Sequence, residues 1–551
     1  MNKLLKLHPK DNVIVALQDL KKNEVVHFEG TDIIIQEDTS SKHKFIENDM
    51  SEGEHIYMYG VIVGKTLKGM PKGTPITLAN VVHDTGGFSA ENKEAEGSWV
   101  APNIDRFKGK TFNGYHRENG TVGTQNLWLV VPLVFCENRN ILKLKEVLES
   151  ALEYKNDVDY GVDVDLLINK YKGGSSTEEL LNTDVLVSRD QKIKQRVFPN
   201  VDGIKFLTHD AGCGCNRQDA HALCELLAGY VTHPNVAGAT VLSLGCQNAE
   251  DKIMLEAIKR KSPGFNRPLH VLEQQESLSE KEFIADAVRK IFVGLIEANK
   301  SERKPAPLSK LTVGLECGGS DGFSGISANP ATGYMSDLLV GLGGSTILSE
   351  FPELNGVEQE LINRCETDEN SEKFSNLMTK YNESAIAVGS GFHANPSPGN
   401  IKDGLITDAI KSAGAAKKGG TSPIVDVLDY TEEVKKPGLN MLCTPGNDVE
   451  STTGLAGSWA NVIVFTTGLG TPTGNPVTPV IKVSSNTKLF NKMNDIIDFD
   501  AGPVITGLQT IEESGEDLLD MVIGVANGEV MTKADALGQD DFIFWKRGVS
   551  L

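Results

Sequence analysis

The stretch GLECGGSDGFSGISANP, residues 314–330, leaves the apolar run Leu311–Leu315 and crowds five glycines, an acid, a thiol and an aspartate into a short loop. An apolar run that ends abruptly in small and polar residues is the signature of a buried strand leaving a parallel sheet. The transition recurs along the chain. GIKFLTH (203–209) runs into DAGCGCNR, ATVLSLG (239–245) into CQN, and NVIVF (461–465) into TTGLGTPTGNP. HANPSPGN (393–400) and CTPGND (443–448) are loops of the same character. Between these runs lie helical patterns such as RQDAHALCELLAGYV (217–231), so the sequence predicts an α/β body with mainly parallel sheets. In open sheets of this kind ligands bind beyond the carboxyl ends of the strands. The loops are therefore expected to line one crevice and to gather Cys213, Cys215, Cys246, Glu316, Cys317, Asp321 and Thr466.

Working outward, the texture changes upstream of residue 110. NVIVALQDL, TDIIIQED and TPITLANVV are short β-rich runs separated by polar turns, which predicts a small all-β domain over 1–85. The Gly-rich polar stretch that follows reads as a linker, 86–110. A charged tract near 277–310 divides the α/β body, giving expected domains 111–280 and 281–551.

Composition limits the function. The chain has 551 residues, 39% of them hydrophobic, enough for several cores. Its longest apolar stretch, WLVVPLVFC (128–136), is far below the roughly 20 residues needed to span a bilayer, and no leader-like segment opens the sequence; a cytoplasmic protein is expected. A net charge of −21 argues against nucleic acid or an anionic membrane as partner. An anionic ligand would need local compensation from a metal cation or from backbone N–H groups. Eight cysteines without regular spacing fit a reducing compartment rather than a disulfide framework. A homo-oligomer, most simply a dimer, is expected for an enzyme of this size.

The strings ECGGSDGFSGISANP, NPSPGN, PGND and FTTGLGTP resemble the C-terminal domain of the altronate and galactarate dehydratase family. GYHRENGTVGTQN and HPNVAGATVLSLGCQN resemble its second domain, and residues 1–85, including KHKF (42–45), its SAF-type β-clip domain. The resemblance implies a metal-dependent dehydration of a sugar acid such as D-altronate. The metal it implies is Fe²⁺, with Mn²⁺ or another divalent cation as substitutes. Dehydrating a 2,3-dihydroxy acid requires a Lewis acid for the developing charge, a base for the proton beside the carboxylate, and an acid for the leaving oxygen.

Candidates follow by residue type. His43, in the string that matches the family's Gly-His-Lys except for Lys42, His83 and Asp321 are the catalytic candidates. His43, His209, Cys246, Glu316 and Cys317 are candidate metal ligands, since imidazole, carboxylate and thiolate suit such ions. Lys44 is a candidate partner for the substrate carboxylate. Asn126, Ser320, Asn395, Ser397, Asn400, Asn447, Thr466 and Thr467 are of the type that hydrogen-bonds a polyol. Each has a structural alternative: Asp321 between glycines would tie up loop N–H groups, and buried cysteines would simply pack. Two competing functions are an iron–sulfur dehydratase holding its cluster through Cys213, Cys246 and Cys317, and a non-catalytic sugar-acid binder. Finally, Gln125 and Leu469 stand where the family carries a cation. If those cations grip carboxylates, their absence favours a monoacid over the diacid galactarate.

Overall fold

A computed structural model of the chain describes residues 3–94, 97–154, 160–188 and 196–551. Its α/β body is built on two parallel sheets. The smaller contains β1 (Leu127–Pro132), β2 (Gly203–Phe206), β3 (Val236–Ser243) and β4 (Leu269–Glu273) in the order β2-β1-β3-β4. The larger has seven strands: β5 (Thr312–Cys317), β6 (Ser345–Leu348), β7 (Ile424–Leu428), β8 (Gly438–Leu442), β9 (Val462–Thr467), β10 (Val480–Ser484) and β11 (Phe499–Asp500). Their order is β7-β8-β6-β5-β9-β10-β11, every pair parallel. The apolar runs that predicted strands are buried on both faces, as parallel strands covered by helices must be.

Strand order places the opening stretch. From β5 the chain moves to β6 on one side, and β9 lies on the other, so the order reverses at β5 and a crevice opens beyond its carboxyl end. Cys213, Cys215 and Cys246 lie at the strand ends of the four-stranded sheet, outside the group formed by Cys317, Glu350 and Glu353. There Asn248 N donates to Gly212 O (3.0 Å) and Asn248 Nδ2 to Cys215 O (3.1 Å).

The N-terminal domain consists of short antiparallel ladders, among them Leu4–Leu5, Val13–Ala16 and Lys44–Ile46. Period-two alternation splits Val13–Ala16 between two cores. Ile14 and Ala16 face the domain's own cluster with Leu20, Val26 and Phe45. Val13 and Val15 join a core shared with Phe351, Ile406 and Ile410 of the large domain. The small domain is thereby docked with the end of Lys42–Ile46 against the β5 loop. Residues 86–94 and 97–110 contain only one short 3₁₀ turn, Ala90–Asn92, and run over the large domain, Trp99 Nε1 donating to Thr421 Oγ1 at 3.1 Å. Residue 280, where the sequence reading divides the body, opens the helix Glu280–Ala298. That helix packs Phe283, Ala287, Ile291 and Leu295 against Trp128 of the small sheet.

Candidate active site

The last two residues of β5, Glu316 and Cys317, point into a buried ionic cluster. Three segments complete it, each arriving at the same end of the sheet: Ser349, Glu350 and Glu353 after β6, Lys411 from the helix Asp408–Ala416, and Lys418 just beyond it. Cys317 Sγ lies 3.4 Å from Glu350 Oε2 and 3.2 Å from Glu353 Oε2, and Lys418 Nζ stands 2.5 Å from the sulfur and 2.7 Å from Glu350 Oε2. Lys411 Nζ reaches Glu353 Oε1 at 2.5 Å and Asn395 Oδ1 at 2.7 Å. Glu316 Oε2 accepts from Ser349 Oγ (2.9 Å) and Ser451 Oγ (2.6 Å). Glu350 sits in left-handed backbone, φ +67°, a conformation that costs a non-glycine residue energy and concentrates at functional sites.

Burial and mutual repulsion decide the charges. Burial first and the Glu350 carboxylate second push Glu316 well above the usual carboxylate range, so that of this close pair Glu316 keeps the proton. Burial also raises Glu350, against the pull of Lys418. Burial would raise Glu353 as well, but Lys411 and Lys418 together hold it below its ordinary value. Burial and the two glutamates keep the Cys317 thiol protonated, while Cys317, Glu350 and Glu353 keep Lys418 charged against its own burial.

Could this cluster hold a metal? One ligand atom each from Cys317, Glu350 and Glu353 lie within 4.8 Å of one another. Glu316 Oε1 and Glu350 Oε1 are both buried with no donor other than the proton the two carboxyls share, a concentration of acidic groups that a cation would offset. A thiolate with two carboxylates suits a borderline transition metal better than Mg²⁺ or Ca²⁺. The residues therefore fit a divalent ion.

Beside the cluster, Asp448 begins the helix Asp448–Gly457 and is half-buried. Gly318 makes room for it, since a Cβ there would overlap the Asp448 carboxylate and the Phe465 ring. Burial, followed by Glu350 and Glu353, raises Asp448 to about 7.

The second polar group forms where the N-terminal domain docks. Lys42 Nζ pairs with Asp321 Oδ2 (2.9 Å) and Asp403 Oδ2 (3.3 Å). Lys42 has φ +76°, the region glycine favours, which accounts for the family's glycine at this position. The turn comes so close that a Cβ on Gly322 would fall 2.7 Å from Lys42 O. His43 Nε2 meets Lys402 O at 3.0 Å, and burial lowers its pKa. Lys44 is fully buried, donates to Gly404 O at 2.7 Å, and is pushed down by burial to about 7. Asp321 is consumed by its surroundings: it accepts from Phe323 N (3.1 Å), Ser324 Oγ (3.0 Å), Ser485 Oγ (2.9 Å) and Asn486 Nδ2 (3.3 Å).

Of the five expected metal ligands, the fold brings only Glu316 and Cys317 together. His209 is excluded by its own bonds, Nε2 to Pro132 O (2.8 Å) and Nδ1 from Ala211 N (3.2 Å), and Cys246 lies at the other sheet against Gln275. For the same reason Cys213, Cys246 and Cys317 form no cluster site among the described residues. His83 ion-pairs with Asp408 at the edge of the docked domains, and that pairing raises its pKa. Asn395 joins the Lys411–Glu353 pair, and Ser320 O takes Asn400 Nδ2 at 2.7 Å. Ser397 and Asn447 are helix caps, Thr466 bonds Asn329, and Thr467 bonds Gly470 N. Asn126 bridges Asn200 O, Ala298 O and Arg117 at the amino-terminal edge of the small sheet, away from the crevice. Gln125 lies there too, bonded to Asp535, whereas Leu469 is exposed next to Gly319 at the β5 loop.

Sequence reasoning missed Glu350, Glu353, Lys411, Lys418 and Asp448. A signal existed for the first two: STILSEFPE (345–353) is an apolar run emptying into acids.

Three family profiles tile the chain. Residues 2–84 match the altronate/galactarate dehydratase SAF domain, 114–299 the D-galactarate dehydratase/altronate hydrolase second domain, and 308–550 the D-galactarate/altronate dehydratase C-terminal domain. The altronate dehydratase of Bacillus subtilis is 33% identical over 100% of both chains. This chain belongs to the galactarate/altronate dehydratase family. Its relatives in that family include the altronate dehydratase of Escherichia coli, 30% identical over 99% of each chain. The galactarate dehydratase (L-threo-forming) of the same organism is 30% identical over 97% of this chain and 94% of its own. Within the family's C-terminal domain lie all the members of the Cys317 cluster, and its SAF domain contributes Lys42, His43 and Lys44.

Proposed function

We propose that this protein is a hydro-lyase that removes water from a sugar acid. D-altronate is the substrate, 2-dehydro-3-deoxy-D-gluconate the product, and Fe²⁺ the metal. The observation that carries the reading is the buried Cys317–Glu350–Glu353 set, whose ligand atoms lie together at the carboxyl end of the strand where the order reverses. A divalent cation bound there supplies Lewis-acid stabilisation of the charge that develops when the proton beside the substrate carboxylate is removed. Lys411 and Lys418 hold the surrounding carboxylates in place and add positive potential for an anionic substrate. Asp448, half-buried beside the cluster and raised to about 7 by burial and by Glu350 and Glu353, is suited to protonate the departing hydroxyl. Lys42 and Asp321 lock the small domain over the β5 loop and so shape the crevice.

The membership in the family and the intact ionic cluster favour catalysis over sugar-acid binding alone. No helix among the described residues is long and apolar enough to cross a membrane. The test is an anaerobic assay of metal-stripped protein with D-altronate and with galactarate, following 2-keto-3-deoxy acid. Turnover of altronate restored by Fe²⁺, and more weakly by Mn²⁺, is the expected result; no turnover of either acid with any divalent ion would refute the reading.

Selectivity separates the two positions that lack the family's cation. Leu469→Arg is expected to raise kcat/KM for galactarate relative to altronate by about tenfold, one charge-assisted carboxylate contact. Gln125→Arg, at the far edge of the small sheet, is expected to leave the ratio unchanged. Equal effects of both substitutions would mean that the selectivity does not originate at the β5 loop.

A further inference from the structure

Both ammonium groups of the Cys317 cluster hang from one element. Lys411 lies in the first turn of the helix Asp408–Ala416, and Lys418 lies in the 3₁₀ turn Lys417–Gly419 that continues it. What grips that element is the N-terminal domain. Thr407, the helix cap, accepts from Ile410 N at 3.2 Å and donates its own hydroxyl proton to Val63 O, 2.9 Å away in the strand Val61–Thr66. Asp408, the next residue, ion-pairs with His83, where the N-terminal domain hands the chain to the linker. Ile406 and Ile410 share a core with Val13 and Val15. Toward the other end Tyr59 rests on Gly414, where a Cβ would stand 3.3 Å from the tyrosine oxygen.

We infer that His83 and Thr407 are positioning residues for the metal cluster: through the helix Asp408–Ala416 they couple the docking of the N-terminal domain to the placement of Lys411 and Lys418. The inference rests on the role proposed above for that cluster. His83, expected from the sequence to be catalytic, acts on another residue and not on substrate. The link to the cluster is electrostatic. Lys411 Nζ holds Glu353 Oε1 at 2.5 Å. Burial would protonate Glu353, and Lys411 first and Lys418 second keep it ionised. Loosening the start of the helix withdraws Lys411, Glu353 regains its affinity for a proton, and a divalent ion loses a charged ligand.

The grip depends on pH in one direction. Facing the His83 ring are Asp408, Glu358 of the helix Glu358–Arg364, and its sequence neighbour Asp84. Lys65 pairs with Asp84 at 2.6 Å, His55 also faces Asp84, and Asn355 Nδ2 donates to Asp408 Oδ2 at 2.8 Å. The hydrogen bond to Asp408 raises His83 above its ordinary value in spite of burial. A histidine raised in this way contributes its pairing fully below about pH 6.5 and loses it as pH rises through the folded value. Burial pushes Glu358 to about 7, so Glu358 gains charge in the same range and prolongs the imidazolium.

Anaerobic calorimetry of Mn²⁺ binding to the full chain, without substrate, tests the coupling. His83→Ala is expected to weaken Mn²⁺ about tenfold at ~pH 6, the usual scale for a group that orients a ligand, and no more than about twofold at ~pH 9, where wild type has lost the pairing too. His83→Lys, whose ammonium stays charged, is expected to match wild type at ~pH 6 and to bind Mn²⁺ more tightly than wild type at ~pH 9. Thr407→Val, which removes the bond to Val63 O, is expected to show its loss at both pH values, and Thr407→Ser to restore binding. Hydrogen exchange of metal-free protein supplies the second readout: amides of 408–418 should lose protection about tenfold in His83→Ala and in Thr407→Val, with circular dichroism unchanged. Neither readout uses turnover, so failure of the altronate assay refutes the reaction, whereas these measurements decide the coupling. If wild type binds no Mn²⁺, the reading of the cluster falls and exchange alone decides. An equal penalty for His83→Ala at both pH values, Thr407→Ser behaving as Thr407→Val does, or protection of 408–418 unchanged in every variant would overturn the inference.

Discussion

Replacement of Glu350 by glutamine is expected to lower turnover of D-altronate by about 10³ and to abolish tight metal retention. One oxygen of Glu350 already accepts from Lys418 Nζ at 2.7 Å and from Cys317 N at 3.0 Å, and the carboxyl group is also hydrogen-bonded to that of Glu316. An amide presents donors where this site presents Lys418 and the Cys317 N–H, and it removes a negative ligand. Steady-state kinetics with metal analysis of anaerobically purified protein would measure both effects. Glu316→Gln is the matched control: Glu316 keeps the proton of the pair, so a neutral amide of the same shape is expected to cost less than tenfold in turnover. If the two substitutions behaved alike, the cluster would be a structural ion network rather than a metal centre.

The second large effect concerns stability. Lys418→Met removes the ammonium from a pocket it shares with Glu350, Glu353, the protonated Glu316 and the Cys317 thiol, all nearly inaccessible to solvent. Stripping one partner from a buried ionic group leaves uncompensated charge, and the expected cost is about 3–5 kcal/mol. In metal-free protein this should appear as a lower denaturant midpoint. A divalent ion should then restore much of the loss, because a cation bound only in the folded state replaces the missing charge and stabilises by mass action. A variant as stable as the wild type without metal would show that Lys418 does not compensate the two glutamates.

Both expectations rest on residues that sequence reasoning did not select, and the contrast with those it did select is instructive. Glu316 and Cys317 were legible because they end an apolar run, and β5 does end in the crevice. His209 and Cys246 ended equally good runs, yet they belong to the small sheet, and nothing local says which sheet a strand joins. Asp321 looked reactive between its glycines and proved to be saturated with hydrogen bonds, the outcome expected of a loop whose N–H and hydroxyl groups would otherwise be buried unpaired. Lys42 was noticed as a departure from the family's glycine, but its left-handed backbone and its pairing with Asp321 emerge only when the small domain is docked.

What the sequence determined by itself was therefore everything governed by short-range pattern: the parallel strands, the antiparallel N-terminal domain, the polar loops at strand ends, and the family strings that imply a sugar-acid dehydratase. These are set by periodicity and turn chemistry within a dozen residues, where hydrophobic burial and backbone sterics act directly. Only the tertiary structure decided that Cys317, Glu350, Glu353, Lys411 and Lys418 share one pocket, although they are spread over about a hundred positions of the chain. The reason is electrostatic: which of these groups carries a charge depends on which others are buried beside it, and that neighbourhood is created by strand order, not by the spacing of residues along the chain.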